Sequence, residues 1–71
     1  MSKYYDIGKA LKVIRVNAGL TQTDIAEKMN MSKQQVSTYE RNQFEPKLDR
    51  IHEYVRACGS NLAEFLEKAR I

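Results

Sequence analysis

Residue types that commonly hold small proteins together are scarce in this chain. Among its 71 residues there is one cysteine, one histidine, one proline and no tryptophan. Cys58 alone cannot form an internal disulfide, and together with His52 it falls short of the ligand set of a structural zinc site. We therefore expect no metal and no cofactor, and a fold that is held by the packing of its own side chains.

Long apolar runs are missing as well. No stretch approaches the roughly 18 apolar residues that a membrane span needs. Lys12 and Arg15 interrupt the N-terminal pattern where a signal sequence would continue its apolar core. These absences predict a cytoplasmic protein without a membrane segment. At 71 residues the chain has space for one domain, whose free energy of unfolding should be only a few kcal/mol.

The sequence also lacks the motifs of enzymes. It contains no glycine-rich phosphate loop, no cluster of metal ligands and no nucleophile beside a base, so we expect no catalytic activity. The net charge of +3, from 12 basic and 9 acidic residues, is compatible with a polyanionic partner. That balance is too mild to identify the partner.

What the chain does contain is apolar residues at helical spacing. A first helix that ends at Gly19 is predicted by Ile7, Leu11, Ile14 and Ala18. The later helices are built on Ile25, Ala26 and Met29, on Val36 and Tyr39, on Leu48, Ile51, Tyr54, Val55 and Cys58, and on Leu62, Phe65, Leu66 and Ala69. No segment alternates with the period of a strand. The expected fold is all-α, with five helices in one compact domain.

Three capping-box patterns mark helix starts, and their cap residues are Thr21, Ser32 and Asn61. Only Asn30 and Met31 separate the second helix from the Ser32 cap. A link this short forces the second and third helices to cross at a steep angle. The third helix must therefore lie on the surface of the domain.

The third helix has two different sides. Its inward side carries Val36, Tyr39 and Glu40, and its outward side is polar and lacks a carboxylate. The outward residues are Lys33, Gln34, Ser37, Thr38 and Arg41. A glutamine amide can pair with adenine at two positions, a lysine can donate to guanine, and an α-helix fits the major groove of DNA. The alternative is a solvated polar face, which most amphipathic helices have.

Glu40 is the unusual member of the inward side. A buried carboxylate is costly unless it is paired, and Arg15 on the first helix is the candidate partner for an ion pair. The alternative is that Glu40 leans out into solvent.

Taken together, these residues resemble the lambda-repressor and Cro type of helix-turn-helix domain, the Xre family. The resemblance covers about residues 7–66, between an N-terminal arm of residues 1–6 and a C-terminal tail of residues 67–71. The residues that carry it most specifically are Arg15, Gly19-Leu20-Thr21-Gln22, Ile25-Ala26, Val36, Tyr39-Glu40-Arg41, Pro46 and Leu48.

This resemblance implies a sequence-specific transcriptional regulator that binds double-stranded DNA, such as a small phage, plasmid or restriction-modification type of repressor. The third helix would enter the major groove, and dimers would occupy half-sites about 34 Å apart. By position, the resemblance assigns base reading to Lys33, Gln34, Ser37 and Thr38, and backbone contacts to Gln22, Thr23, Gln35, Arg41, Asn42 and Gln43. Gln35 could instead only satisfy the Ser32 amide in the capping box. Arg15 and Glu40 coincide with the buried ion pair of the family.

The chain also departs from the family pattern. Asn30 and Asn42 stand where many members have glycine, and this is tolerable because asparagine also adopts the left-handed conformation. Lys47 replaces the usual serine or threonine cap, so the start of the fourth helix is poorly marked.

Two surfaces are candidates for partners. A single module buries only about 600–1,000 Å² on DNA, so we expect a homodimer on two half-sites. We predict its interface at Phe65, Ala69 and Ile71. A rival apolar surface is formed by Ala10, Val13 and Val16. That surface could bind a different protein, and an antitoxin-like interaction module of the same fold is the alternative function; scattered exposed aliphatic residues are also normal.

Overall fold

Five α-helices make up most of residues 3–71, the part of the chain that the computed structural model describes. In chain order they are α1 (Ile7–Asn17), α2 (Gln22–Met29), α3 (Lys33–Glu40), α4 (Leu48–Ala57) and α5 (Leu62–Ala69). The predicted all-α fold with five helices is confirmed. The longest helix has 11 residues, and within this range no helix is long and apolar enough to cross a membrane.

Side-chain caps start α2 and α3 where the sequence predicts them. The Thr21 hydroxyl accepts the Asp24 N–H at 3.0 Å, and the Asp24 carboxylate accepts the Thr21 N–H at 2.8 Å. Ser32 and Gln35 form the equivalent capping box at the start of α3. Lys47 makes no side-chain hydrogen bond at the start of α4, as the poorly marked pattern there indicated.

Asparagines in the left-handed conformation follow α2 and α3. Asn30 has a φ of 54° and Asn42 a φ of 58°, as expected from their positions after the two helical patterns. A short polar side chain makes asparagine one of the few residues that tolerate this region. Behind Asn30, the Met31 N–H donates to the Ala26 carbonyl at 2.9 Å and closes the end of α2.

The core is formed by contacts of α1 with α3, α4 and α5 and of α2 with α3 and α4. The largest fully buried side chains are Leu11, Ile25, Val36, Tyr54 and Val55. Each helix therefore contributes an apolar side to one shared core. This arrangement leaves the opposite side of α3 uncovered by the domain.

Three residues from the apolar patterns of the predicted helices are exposed. Ala18 lies on the surface, Leu48 is 66% exposed and Leu66 is 47% exposed. Ala10, by contrast, is completely buried and cannot belong to an apolar partner surface with Val13 and Val16. Helical spacing defines the sides of each helix, but whether a side is covered depends on where the neighbouring helices end.

The two ends of the described chain lie side by side. An antiparallel bridge between Tyr5 and Arg70 joins them through two hydrogen bonds, from the Ile71 N–H to the Tyr4 carbonyl at 3.1 Å and from the Asp6 N–H to the Ala69 carbonyl at 2.7 Å. The expected arm and tail are therefore in contact with each other, and α5 continues beyond residue 66 to Ala69. Residues 1–2 of the expected arm lie outside the described part of the chain.

Candidate nucleic-acid interface

A turn of residues 30–32 joins α2 to α3. Asn30 reverses the chain, Met31 packs against the core, and Ser32 caps α3. Because the turn is so short, α3 lies directly against α2. One side of α3 is thereby held by the domain and the other side faces solvent.

The solvent-facing side of α3 is polar. Its members are Lys33, Gln34 and Arg41, which are exposed, and Ser37 and Thr38, which are half-buried. This side holds no carboxylate, because the single acidic residue of α3, Glu40, points into the domain. Within residues 3–71, no hydrogen bond engages the side chains of Lys33 and Gln34. We call these five residues the reading face, and its two cations favour a negatively charged partner.

Two side chains of the reading face are tied to α3 itself. The Thr38 hydroxyl donates to the Gln35 carbonyl at 2.7 Å, so it offers a ligand its lone pairs and its methyl group. Arg41 Nε lies 3.4 Å from the Ser37 carbonyl, a long contact that leaves the rest of an exposed guanidinium facing solvent.

Beneath the reading face, Glu40 is the centre of a network that we call the Glu40 hub. Arg15 Nε donates to Glu40 Oε2 at 2.7 Å, and Arg15 Nη2 donates to Oε1 at 3.0 Å. Gln22 Nε2 donates to Oε1 at 3.1 Å, and the Tyr54 hydroxyl donates to Oε2. These partners lie on α1, α2 and α4, so the hub fixes α3 to three other helices. The predicted ion pair is present, and with a side chain only 2% exposed Glu40 does not lean into solvent.

The hub also sets the charges of its members. Burial would raise the pKa of Glu40, but hydrogen bonds from Arg15, Tyr54 and Gln22 outweigh it, and the pKa lies below the ordinary value of 4.5. The hydrogen bond to Glu40 raises the pKa of Arg15, and burial and the same carboxylate raise the pKa of Tyr54. At neutral pH the hub is therefore a carboxylate held by a cation and two neutral donors.

The residues predicted to contact the DNA backbone differ in their exposure and in the hydrogen bonds that they make within the protein. Thr23 and Gln43 are exposed. Gln22 is half-buried, and one of its amide protons is donated to Glu40. Gln35 Oε1 accepts the N–H of the cap residue at 3.0 Å, so this side chain closes the capping box. Its amide nitrogen is not used in that bond.

The side chain of Asn42, a residue predicted to contact the DNA backbone, makes two hydrogen bonds inside the protein. Asn42 Oδ1 accepts the Gly8 N–H at 2.8 Å, and Asn42 Nδ2 donates to Asp6 Oδ1 at 2.8 Å. Both ends of the amide therefore have a partner at the start of α1, and a contact of Asn42 with the DNA backbone stays a prediction. Neither Asp6 nor Gly8 is among the predicted site residues. The available signal was a glycine within a helical pattern, which often marks a close approach of two backbones.

The predicted dimer interface needs correction at two of its three residues. Phe65 is 3% exposed and Ala69 is 1% exposed, because α5 packs these side chains against α1. They are not accessible to a second chain. Ile71 remains available with 79% exposure. In the rival surface Val16 is 55% exposed and Val13 is half-buried.

Two helices joined by a short turn, with a buried ion pair under the second helix, agree with a known family. The Cro/C1-type helix-turn-helix family model matches residues 11–65. This chain belongs to that family. The matched segment contains α2, the turn, α3 and all four residues of the Glu40 hub. Asp6 and Gly8, which hold Asn42, precede it.

Two relatives, one from Bacillus subtilis and one from a Bacillus phage, are similar to part of this chain. The HTH-type transcriptional regulator ImmR of Bacillus subtilis (strain 168) is 44% identical over 43 residues, which are 61% of this chain and 34% of ImmR. The immunity repressor protein of Bacillus phage phi105 is 34% identical over 53 residues, 75% of this chain and 37% of that repressor. The chain thus spans about a third of the length of each relative.

Among solved structures, the chain is similar to the restriction-modification controller protein C.Esp1396I. The wild-type controller has a TM-score of 0.78 and 26% identity, with coverage of 87% of this chain and 82% of the controller. The C.Esp1396I tetramer in complex with its natural 35 base-pair operator has a TM-score of 0.77 and the same identity and coverage. The shared fold therefore covers most of this chain and most of the controller.

Proposed function

We propose that this chain is a transcriptional regulator that binds a specific sequence of double-stranded DNA as a homodimer. The observation that carries the proposal is the reading face, an accessible row of cations, amide and hydroxyls without a carboxylate, mounted on a buried charged hub. Two regulators among its relatives and an operator-bound structural neighbour support it. Such a regulator acts in the cytoplasm, where its operator is.

Base reading falls to the outward side chains of α3 in the major groove. Gln34 can pair with adenine through both ends of its amide, and Lys33 can donate to the acceptors of guanine. Ser37 and Thr38 are short enough for close approach. Since the Thr38 proton already goes to Gln35, Thr38 would accept from an amino group or touch the thymine methyl group.

Contacts to phosphate fall to the residues around the reading face. The N-terminal end of α2 presents backbone N–H groups and partial positive charge, and Gln22 and Thr23 lie there. The second amide proton of Gln22 remains for a phosphate, since one proton goes to Glu40. Arg41, Gln43 and the exposed amide of Gln35 would contact the backbone at the other edge of the groove. These contacts orient the reading face and carry no sequence information.

The dimer is proposed from the size of the site. One module of this size covers about 600–1,000 Å² of DNA, and two half-sites about 34 Å apart would provide useful specificity. With Phe65 and Ala69 buried, the accessible residue of the predicted interface is Ile71, at the edge where the chain ends meet. A protein partner bound through Val16 and the half-buried Val13 is the alternative use of the surface.

Selection of bound sites from random double-stranded DNA tests this function directly. We expect an enriched motif with two-fold symmetry and half-sites about 10 base pairs apart. Affinity for the enriched site should fall steeply with salt, because released counterions drive binding to phosphates. A folded protein that enriches no sequence would contradict the proposal.

A further inference from the structure

The end of α3 is held to the start of α1 by the side chain of one residue. Asn42, which follows α3, has a φ of 58°. Glycine adopts this conformation without steric cost, so the backbone does not require an asparagine there. The contacts of the Asn42 side chain are an addition that glycine could not make.

Those contacts form what we call the Asp6–Asn42 bridge. Asn42 accepts the Gly8 N–H at 2.8 Å and donates to Asp6 Oδ1 at 2.8 Å, across 34 and 36 positions of sequence. The same Asp6 oxygen accepts the Lys9 N–H at 3.1 Å and so caps α1. The Asp6 backbone N–H donates to Ala69 at 2.7 Å, which anchors the bridge to the end of α5. The bridge is therefore a tertiary contact in which Asp6 is itself held by α1 and by the end of α5.

The two helices meet here at backbone distance. A Cβ atom placed on Gly8 would lie 2.4 Å from the Glu40 carbonyl oxygen and 2.8 Å from Asn42 Oδ1. Such distances leave no space for a side chain between the start of α1 and the end of α3. A shift of α3 at this end would have to break the bridge or open the contact.

Arg41 lies between two anchored neighbours. Glu40, before it, is held by the hub, and Asn42, after it, is held by the bridge. The exposed guanidinium of Arg41 is thus carried on backbone that is fixed from both sides. Hydrogen bonds to base edges need donor–acceptor distances of about 2.7–3.2 Å. A small displacement of this backbone would therefore weaken hydrogen bonds from Arg41 to DNA bases.

We propose that the Asp6–Asn42 bridge positions Arg41 and thereby sets base preference at the operator positions next to the C-terminal end of α3. The proposal rests on the proposed DNA-binding function. Asp6 and Asn42 are positioning residues, because they act through Arg41 and are turned away from the reading face. Arg41 then contributes to specificity in addition to its contact with the backbone.

The test is Asn42→Gly, which keeps the left-handed backbone and removes both side-chain bonds. Asn30→Gly is the matched control: it is the same substitution in the same conformation, and in the described part of the chain the Asn30 side chain makes no hydrogen bond. Each variant is measured on a panel of operators with one base pair changed at a time. Arg41→Ala, measured on the same panel, identifies the base pairs that depend on Arg41.

In Asn42→Gly, discrimination at the Arg41-dependent base pairs should fall by about two- to tenfold, the range expected for loss of a hydrogen bond. Discrimination at the pairs that depend on Gln34 should stay the same, and Asn30→Gly should match the wild type throughout. A bridge that only stabilises the fold would lower the melting temperature and leave every base-pair ratio unchanged, which would overturn the proposal. The proposal would also be overturned if Arg41→Ala changed discrimination at no base pair. If the wild-type protein bound all operators of the panel equally well, the proposed function itself would be overturned.

Discussion

Arg15 holds the Glu40 carboxylate through two hydrogen bonds, from Nε to Oε2 at 2.7 Å and from Nη2 to Oε1 at 3.0 Å. The two residues are 25 positions apart and join α1 to α3 beneath the reading face. A third Arg15 nitrogen, Nη1, donates to the Leu20 carbonyl at 2.9 Å, just before α2. One arginine on α1 therefore binds both α3 and the segment just before α2.

Removal of the hub carboxylate should destabilise the domain strongly. In Glu40→Ala, Arg15 loses its counter-charge, so the free energy of unfolding should fall by about 3–5 kcal/mol. Glu53→Ala is a matched control, because its pair with Arg50 spans 3.3 Å at the surface and should contribute less than about 1 kcal/mol. Urea unfolding measures both.

If Glu40→Ala does not fold, Tyr54→Phe keeps the measurement possible. It removes one donor to the carboxylate and should lower the free energy of unfolding by about 1–3 kcal/mol. Losses in Glu40→Ala or Tyr54→Phe no larger than in Glu53→Ala would show that the hub does not stabilise the fold.

Acid should weaken the domain through the same carboxylate. The pKa of Glu40 is lower in the folded protein than its ordinary value of 4.5. Its ionised form therefore contributes stability above that pH, and the contribution is lost as the pH falls through the folded pKa. The pKa of Asp6, lowered mainly by its bond to Asn42, acts in the same direction. Melting temperatures between about pH 7 and pH 3 should fall mostly below about pH 4.5, and less steeply in Glu40→Gln. Parallel curves would be evidence against this role of Glu40.

A methyl group at Gly8 should destabilise the protein. In an ordinary helix, glycine to alanine is favourable by up to about 1 kcal/mol. Here the new Cβ would lie 2.4 Å from the Glu40 carbonyl oxygen, so we expect Gly8→Ala to lose about 1–3 kcal/mol in urea unfolding. Lys12→Ala, exposed on the same helix, should stay within about 0.5 kcal/mol of the wild type. A stabilised Gly8→Ala would mean that α1 and α3 are not in close contact at this point.

Lys33→Ala and Gln34→Ala should each relax preference at one operator position by about 1–3 kcal/mol, because each side chain is assigned to one base pair. Binding to a panel of singly changed operators measures the preference. Lys68→Ala removes another exposed lysine, on α5, and should leave the preference unchanged. If a variant bound all sequences more weakly by the same factor, the substituted residue would be assigned to the DNA backbone and not to a base.

A charge at Ile71 should separate the dimer. The residue is 79% exposed at the edge formed by the two chain ends, so Ile71→Asp should convert a dimer to monomers without unfolding the domain. Val16→Asp, which places the same charge on another exposed aliphatic residue, should leave the dimer intact. Sedimentation velocity distinguishes the two. The reverse pattern would place the interface on α1.

The starts and ends of most helices could be predicted from short stretches of sequence. A capping box needs residues three positions apart, and a left-handed asparagine needs no distant partner, so Thr21, Ser32 and Asn30 act through their local chemistry. The outward side of α3 is likewise a consequence of helical spacing. The Arg15–Glu40 pair was accessible to prediction because a charge on an apolar side needs a partner.

The accessibility of side chains and the other contacts between distant residues could not be predicted from the sequence, because they depend on how the helices pack. Helical spacing placed Phe65, Ala69 and Leu66 on one apolar side of α5, but the assembled core buries the first two and leaves Leu66 exposed. Helical spacing also could not predict the hydrogen bond between Asn42 and Asp6, because that bond spans 36 positions. Local residue chemistry sets the conformation of each helix and turn, whereas only the packing of helices against one another determines which side chains remain for a partner.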